Sequence, residues 1–298
     1  MLSKKAMIIV LSISQWTGKK EDKRASKDIT EAKNAKSGSA KVIKLLVDKE
    51  SLKEIQKISS AIRQYSKENT LPWAEDGQRL LMTSLFKEYE EKINSMIIER
   101  NKAIDSFVGN YQKIREQAID DLGDMFNEMD YPDAYTIKDK FNISINYYPI
   151  PESDNYRMGL DSEDVKRIAK KAEDKQKEDI SIAMKDVWRR LHKVINSMVE
   201  RLSDPKNTFK DSLVNNVINL VDLLPHLNLT GDQKLEEMRK SIRTKIHAVD
   251  PYNLRHDPSF RKEKANEMKD LLKEIEQCFS PQKEELLYLM DKADEVLS

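Results

Sequence analysis

Residues 81–125 read LMTSLFKEYEEKINSMIIERNKAIDSFVGNYQKIREQAIDDLGDM, and this stretch decides the fold class. Leu81, Leu85, Tyr89, Ile93, Ile97, Ile104, Phe107, Tyr111, Ile114, Ala118, Leu122 and Met125 recur mostly at steps of three and four. That spacing puts them on one face of an α-helix, with Arg100 as the main interruption. Nothing breaks the pattern before Tyr131-Pro132. About 48 residues at ~1.5 Å each make a helix of roughly 70 Å, too long to stand alone in a compact domain. The spacing therefore predicts a second helix of similar length beside it.

That second helix is read downstream. Asp161-Ser162-Glu163-Asp164 offers a capping side chain and acidic residues where the helix dipole favours them. Val165, Ile168, Ala172, Ile180, Ala183, Val187, Leu191, Val194, Met198 and Leu202 then hold an apolar stripe over roughly 40 residues, or ~60 Å. Its middle, Glu173 to Asp179 (EDKQKED), is polar all round and is expected to be the most exposed part.

Shorter elements surround this pair. Met7–Gln15 (MIIVLSISQ) is short and rich in β-branched residues, so it reads as a strand. Residues 141–150 (FNISINYYPI) alternate, with Ile143, Ile145 and Tyr147 on one face, and read as a half-buried strand. A lone strand leaves its amides unsatisfied, so these two are predicted to pair. Trp16 to Ser39 reads as a loop, with at most one short helix. From Ser51, Leu52, Ile55, Ile58, Ile62 and Tyr65 mark a helix that stops before Asn69-Thr70-Leu71-Pro72-Trp73, because Pro72 cannot continue it. In the last third, Asp204-Pro205, Asp250-Pro251, Asp257-Pro258 and Ser280-Pro281 each read as a cap followed by proline at a first helical position. Phe209 to Leu224 is expected to end at Pro225. Another helix opens at Thr230-Gly231-Asp232, a third carries Met268, Leu271, Leu272 and Ile275, and a last spans residues 286–297.

The fold expected from this is mainly α: a long antiparallel, coiled-coil-like helix pair, a small β element, and a C-terminal bundle of short helices. The corresponding domains are a basic strand and loop at 1–50, a long helical hairpin at 51–203 with its β element near 141–150, and a helical bundle at 204–298.

Composition agrees. The 298 residues are 35% charged and 39% apolar, against usual shares of about 25% and 45–50%. Only 7 are glycine and 9 proline, too few for the turns of a sandwich or the glycine loops of a dinucleotide-binding fold. Lys+Arg and Asp+Glu both number 52, but the charge is uneven. Residues 1–50 hold 12 basic and 6 acidic side chains, a net of +6, which leaves −6 for the rest. The longest apolar run, residues 6–13, falls far short of the ~20 needed to span a bilayer. No small-x-small cleavage site follows it, so it reads as a buried strand and the expected address is the cytoplasm.

Catalytic patterns are scarce. Gly18-Lys19 is the only Gly-Lys pair, and Ile13 stands where a phosphate loop would need its first glycine. The four histidines, His192, His226, His247 and His256, lack the His or Glu partners at i±3 or i±4 that build helical metal sites. His256 is expected to make a local contact beside Asp257, and His192 to be hydrogen-bonded or solvated. Cys278, the single cysteine, follows Leu271, Leu272 and Ile275 and is expected to be buried. Acidic pairs such as Asp120/Asp121 and Glu90/Glu91 are what 52 acids produce by chance. Trp73 and Trp188 read as core anchors. No catalytic residue, cofactor or metal ligand is nominated. One patch rises above background: Trp16 with Lys19, Lys20, Lys23 and Arg24, followed by Lys27, Lys33 and Lys36. Basic side chains beside an aromatic can track phosphates and stack on a base, or can meet a protein partner. The plainer reading is a solvated loop whose Trp16 packs on the strand.

Several strings resemble an uncharacterised family of tailed-phage and prophage proteins: residues 69–73 (NTLPW), 129–132 (MDYP), 201–205 (RLSDP), 209–213 (FKDSL) and 224–230 (LPHLNLT). The opening residues 11–18 (LSISQWTG) look like that family's start. The resemblance covers most of the chain and carries no known activity, so it assigns no functional residue. It implies a phage-encoded protein in the host cytoplasm during infection. Some members lie near genes for AAA+ ATPases of the MoxR type and their adaptors. The expected function is a non-catalytic helical interaction or scaffold protein. The alternatives are nucleic-acid binding through the basic N-terminal patch and an accessory role to a MoxR-type AAA+ ATPase. A protein partner is expected, the ATPase among the candidates, with nucleic acid and a second copy of the chain as others, and no membrane.

Overall fold

The computed structural model describes residues 2–74, 77–151, 162–247 and 249–278. In chain order its elements are β1 (Ala6–Ile13), β2 (Lys19–Asp22), α1 (Lys23–Ala32), β3 (Val42–Leu45), α2 (Lys49–Asn69), β4 (Leu71–Pro72), β5 (Gln78–Met82), α3 (Phe86–Leu122), β6 (Ile143–Tyr148), α4 (Ser162–Ser203), α5 (Ser212–Leu227), α6 (Gln233–Ile246), α7 (Pro251–His256) and α8 (Pro258–Cys278), with short 3-10 turns between some of them. The chain is mainly helical with a small antiparallel sheet. Its contacts group it into two units. An N-terminal unit comprises Ile8–Asn69 and Leu85–Tyr148, and a C-terminal unit comprises Met1–Met7, Thr70–Ser84 and Pro149–Ser298. Each unit draws on more than one of the sequence stretches 1–50, 51–203 and 204–298. No described helix is long and apolar enough to cross a membrane.

In the N-terminal unit, β1 and β6 pair antiparallel from Ile8 opposite Tyr148 to Ile13 opposite Ile143, the pairing that their unsatisfied amides require. α3 is shorter than its sequence suggests, 37 residues rather than about 48. Leu81 belongs instead to β5, where Leu80, Leu81 and Met82 are all buried. A strand covered on both faces reads as an unbroken apolar run, and here that run happens to continue the helical period. At the other end, Gly123 takes a left-handed φ of +50° and stops the helix. The sequence suggests pairing the two long helices; within its own unit each lies along a shorter one. α3 packs on α2, where Leu52 and Ile55 share a buried cluster with Ala103, Ile104, Phe107 and Tyr111. Each fully buried aliphatic side chain of this kind contributes about 1.5–3 kcal/mol. α2 is opened by Asp48, whose Oδ1 accepts from the Glu50 and Ser51 amides at 2.8 and 2.9 Å.

Arg100, read from the sequence as a gap in the α3 stripe, lies inside it and is fully buried. Its Nε donates to Ser59 Oγ at 2.9 Å and its Nη2 to Ser14 O at 3.0 Å.

In the C-terminal unit, β4 and β5 pair antiparallel, and the Thr83 amide donates to Lys5 O at 2.9 Å. α4 runs 42 residues, close to expectation. Its buried face of Ala183, Val187, Leu191, Ile195, Met198 and Leu202 packs chiefly on α8, which buries Ala265, Met268, Leu271 and Ile275. α5 to α8 pack on one another or on α4. The segment expected to be most exposed, Glu173 to Asp179, is open except at half-buried Gln176 and at Asp179, which is 3% exposed.

Three of the expected caps form. Asp232 accepts from the Lys234 and Leu235 amides, Asp250 from Tyr252, and Asp257 from Ser259 and Phe260. Asp204-Pro205 makes a turn instead, with Asp204 Oδ1 accepting from the Lys206 amide at 2.9 Å, and α5 begins only at Ser212. α5 also runs through Pro225 to Leu227, since a proline in the last turn costs only one helical hydrogen bond. Cys278 is exposed, not buried, at the end of α8. Asp161, Ser280-Pro281 and the helix expected over 286–297 lie outside the described residues.

Candidate interaction surface

The stretch after Trp16, expected to be a loop with at most one short helix, holds that helix as α1 and adds the strand β2; with β3 they form a small folded module within the N-terminal unit. It begins at Gly18, which has φ +62°. A Cβ there would sit 2.6 Å from Val47 Cγ2, so only glycine lets the chain pass. β2 and β3 pair antiparallel, with Lys19 opposite Leu45, Lys20 opposite Lys44, Glu21 opposite Ile43 and Asp22 opposite Val42. α1 is capped by Asp22 Oδ1, which accepts from the Ala25 amide at 3.0 Å. Buried Ser26 ties the helix to the sheet, donating to Asp22 O at 2.6 Å and accepting from the Val42 amide at 2.9 Å.

The two faces of this ribbon differ. On one, Lys44 is buried and its ammonium meets Asp130, lies 3.8 Å from Asp22, and donates to Met125 O at 2.8 Å. Lys20 reaches the same Asp130 at 3.0 Å. Burial alone would raise the Asp130 carboxyl, but hydrogen bonds and charge from Lys44 and Lys20 outweigh it and hold the group below its ordinary value. Tyr131 locks the neighbouring turn by donating to Leu46 O at 2.8 Å. On the other face, Ile43 and Leu45 are 49% and 39% exposed.

β3 is also an edge strand, since its sheet has two strands. The Leu46 amide donates to Gly18 O at 2.7 Å. By the alternation of an antiparallel ladder, the Lys44/Lys20 pair bonds across to β2, and the amides of Ile43 and Leu45 point away from it. That edge opens on a groove of about 660 Å3 between β3 and the C-terminal half of α3. Ile114, Ala118, Leu122 and Met125 supply its apolar floor, with Lys113 and Asp121 on its margin.

The residues singled out in the sequence take different places. Trp16 packs inward, 6.1 Å from Phe107 and edge-on to Tyr111 at 5.9 Å between ring centroids. Lys20 is spent on Asp130. Lys19, Lys23 and Arg24 are exposed, and among the described residues none has an ion-pair partner; the same holds for Lys33 and Lys36. Lys27 and Lys41 pair with Glu31 and Glu21 at 3.6 and 3.3 Å. Lys23 and Arg24 occupy the first turn of α1, which holds no acidic residue. Cations there oppose the helix dipole, typically at a cost of 0.3–1 kcal/mol, so their placement does not serve the helix.

The groove, Ile43, Leu45 and the Lys44–Asp130 cluster were missed from the sequence. A signal existed in residues 41–47 (KVIKLLV), a β-branched run that follows Gly38 and alternates Lys44 with Ile43 and Leu45.

Three of the four histidines make contacts on the surface or within one helix. His192 Nε2 lies 3.6 Å from Glu276 Oε1. His256 makes a local contact, its Nδ1 2.9 Å from Tyr252 O. His226 Nδ1 lies 3.0 Å from Ser84 Oγ on the surface of the C-terminal unit, and among the described residues no carboxylate is bonded to its other nitrogen. Trp73 is buried, as is Trp188, whose Nε1 donates to Asp232 Oδ2 at 3.2 Å. Among the described residues no three His, Cys, Asp or Glu side chains stand together to hold a metal. Comparison with protein-family models, with curated proteins and with solved structures returned no match.

Proposed function

We propose that this chain is a helical interaction protein, phage-encoded as its resemblance implies, whose work is to hold a partner rather than to turn over a substrate. The supporting observation is the open edge of β3. There Ile43 and Leu45 offer exposed apolar side chains and outward-facing amides beside an apolar groove. An exposed strand edge of this kind is a template for another chain, and proteins that do not use one usually blunt it. Nucleic-acid binding would draw on the same cations but would leave Ile43 and Leu45 without a role. It would also lack Trp16 as a stacking surface, since that ring packs on Phe107 and Tyr111. The resemblance nominates an AAA+ ATPase of the MoxR type as the protein partner.

The test is selection of a random displayed-peptide library on the full chain, alongside the double variant Ile43→Asp, Leu45→Asp. Both side chains are exposed, so the variant should unfold at the same temperature as the parent. The reading expects peptides that enrich on the parent and not on the variant. No enrichment, or enrichment that the variant leaves unchanged, overturns it.

A further inference from the structure

We infer that the β3 edge takes an extended, acidic segment of a partner protein as a third strand, with its alternate apolar side chains seated in the groove. This rests on the interaction reading above and goes beyond it in the shape and charge of the occupant.

The extended shape follows from the edge. The amides of Ile43 and Leu45 face away from β2 at the spacing of a strand ladder, and only an extended backbone can match them. A strand added there lies about 4.8 Å from β3 and presents side chains alternately to either face. Ile43 and Leu45 share one face with Lys19, so every second side chain of the incoming strand lies beside them, and the others fall on the face of Lys44, whose ammonium donates to Met125 O at the groove floor. The groove floor of Ile114, Ala118, Leu122 and Met125 is apolar, and Met125 is 41% exposed. That is room for aliphatic side chains rather than polar ones.

The charge follows from the module that carries the edge. Between residues 18 and 45 the chain carries nine Lys/Arg and four Asp/Glu. Internal pairing removes Lys20, Lys27, Lys41 and Lys44 from that total. Five exposed cations remain without a partner among the described residues: Lys19, Lys23, Arg24, Lys33 and Lys36. Lys19 stands directly opposite Leu45 in the ladder, on the face that Ile43 and Leu45 share. At the groove margin itself the exposed charges are mixed, Lys113 against Asp48 and Asp121, so the preference for acid comes from the cations of the module and not from the groove. A second copy of this chain would bring five like charges against these five, so self-pairing through β3 is disfavoured. Acidic side chains flanking the apolar positions complement them instead.

The sequences of the peptides enriched in the selection above test this directly. Enrichment of peptides that alternate aliphatic and acidic residues supports the inference. Enrichment of basic peptides, or of peptides with apolar residues at helical spacing, overturns it while the interaction reading stands. No enrichment overturns both. A second arm titrates the full chain with a fluorescein-labelled nine-residue peptide alternating Glu and Val. Its lysine counterpart and a version with proline at the central valine serve as comparisons. The inference expects the acidic peptide to bind, the proline version to bind at least tenfold more weakly, and the lysine version not to bind. Leu45→Asp should weaken the acidic peptide at least tenfold. Equal binding of the acidic and lysine peptides, or no effect of proline, overturns the strand-addition mode. A twenty-residue poly-dT oligonucleotide is the last probe. If at 50 mM salt it binds the full chain more tightly than the acidic peptide does, and Leu45→Asp leaves that binding unchanged, the cations serve phosphates and the inference fails.

Discussion

Arg100 and Lys44 are both buried cations of the N-terminal unit, and they are accommodated in opposite ways. Lys44 sits between two carboxylates, Asp22 and Asp130, and a carbonyl. Arg100 has no carboxylate partner among the described residues. It is held by the Ser59 hydroxyl and the Ser14 carbonyl, and its Nη1 has no hydrogen-bond partner among the described residues. Burial, with the Arg63 guanidinium nearby, lowers the Arg100 pKa from its ordinary value, yet arginine stays charged at neutral pH. Arg63 donates to Ile13 O at 3.0 Å, so two guanidiniums grip adjacent carbonyls at the end of β1. The lesson is that burial of a charge does not by itself reveal its partner. At Lys44 the charge pair carries the energetics; at Arg100 neutral acceptors and packing do.

The largest expected effect is that of Asp130→Ala. It leaves the Lys44 ammonium buried with only the more distant Asp22 as counter-charge, and removing one member of a buried pair costs about 3–5 kcal/mol. Urea unfolding should show a loss of that size. A loss below 1 kcal/mol would mean that Asp22 suffices and that the two cations are less different than drawn. The same pair predicts a pH signature. The Asp130 carboxyl lies below its ordinary value in the folded protein, against about 3.9 in the unfolded chain. Its contribution is therefore fully present above about pH 4 and is lost as the pH falls through the folded value. Asp48 and Glu236 are lowered as well and titrate in the same acid range. The readout is thus the difference between the parent and Asp130→Asn, which should narrow as the pH falls below about 4. A difference independent of pH would break the assignment.

Arg100 should behave otherwise. Arg100→Ala opens a cavity between α2 and α3 and strips Ser59 and Ser14 of their donor, at a cost of about 2–4 kcal/mol. Arg100→Met keeps most of the volume and removes an uncompensated charge, so its cost should stay below about 1.5 kcal/mol, with a gain in stability within range. Neither change should alter the acid dependence assigned to Asp130. If Arg100→Met costs as much as Arg100→Ala, the charge itself is being stabilised and a partner for it exists.

The helical body was legible in the sequence because long apolar stripes have few alternative readings. α2 ends at Asn69 where Pro72 forces it, and β1 pairs with β6 as their lone amides require. Three signals misled. Arg100 reads as a break because sequence assigns charge to solvent, whereas the helical period alone placed it on the buried face. Leu81 continues the helical period by coincidence while belonging to a strand buried on both faces. β2 is Lys19-Lys20-Glu21-Asp22, four charged residues without apolar alternation. What makes it a strand is distant: β3, and Asp130 more than a hundred residues away. The candidate site was half legible for the same reason. Lys19, Lys23 and Arg24 stood out as charge. Trp16 turned inward, Lys20 found a partner that spacing could not reveal, and the groove depends on α3 passing β3.

The smallest expected effect is Lys20→Ala, and it separates the two cations that share Asp130. Lys20 is half exposed where Lys44 is nearly covered, although its distance to the carboxylate is an ordinary 3.0 Å. An ion pair with one member in water contributes about 0.2–1 kcal/mol, and salt screens it. Lys20→Ala should therefore lower stability by less than 1 kcal/mol at low salt and by less still at 1 M salt, by the same urea measurement. Asp130 would keep Lys44 and stay low in pKa, so the acid-side behaviour of the parent should persist. A loss approaching that of Asp130→Ala would place the energetic centre at the exposed lysine. The contrast between a charge held by charge and a charge held by neutral groups would then rest on Lys20 rather than on Lys44.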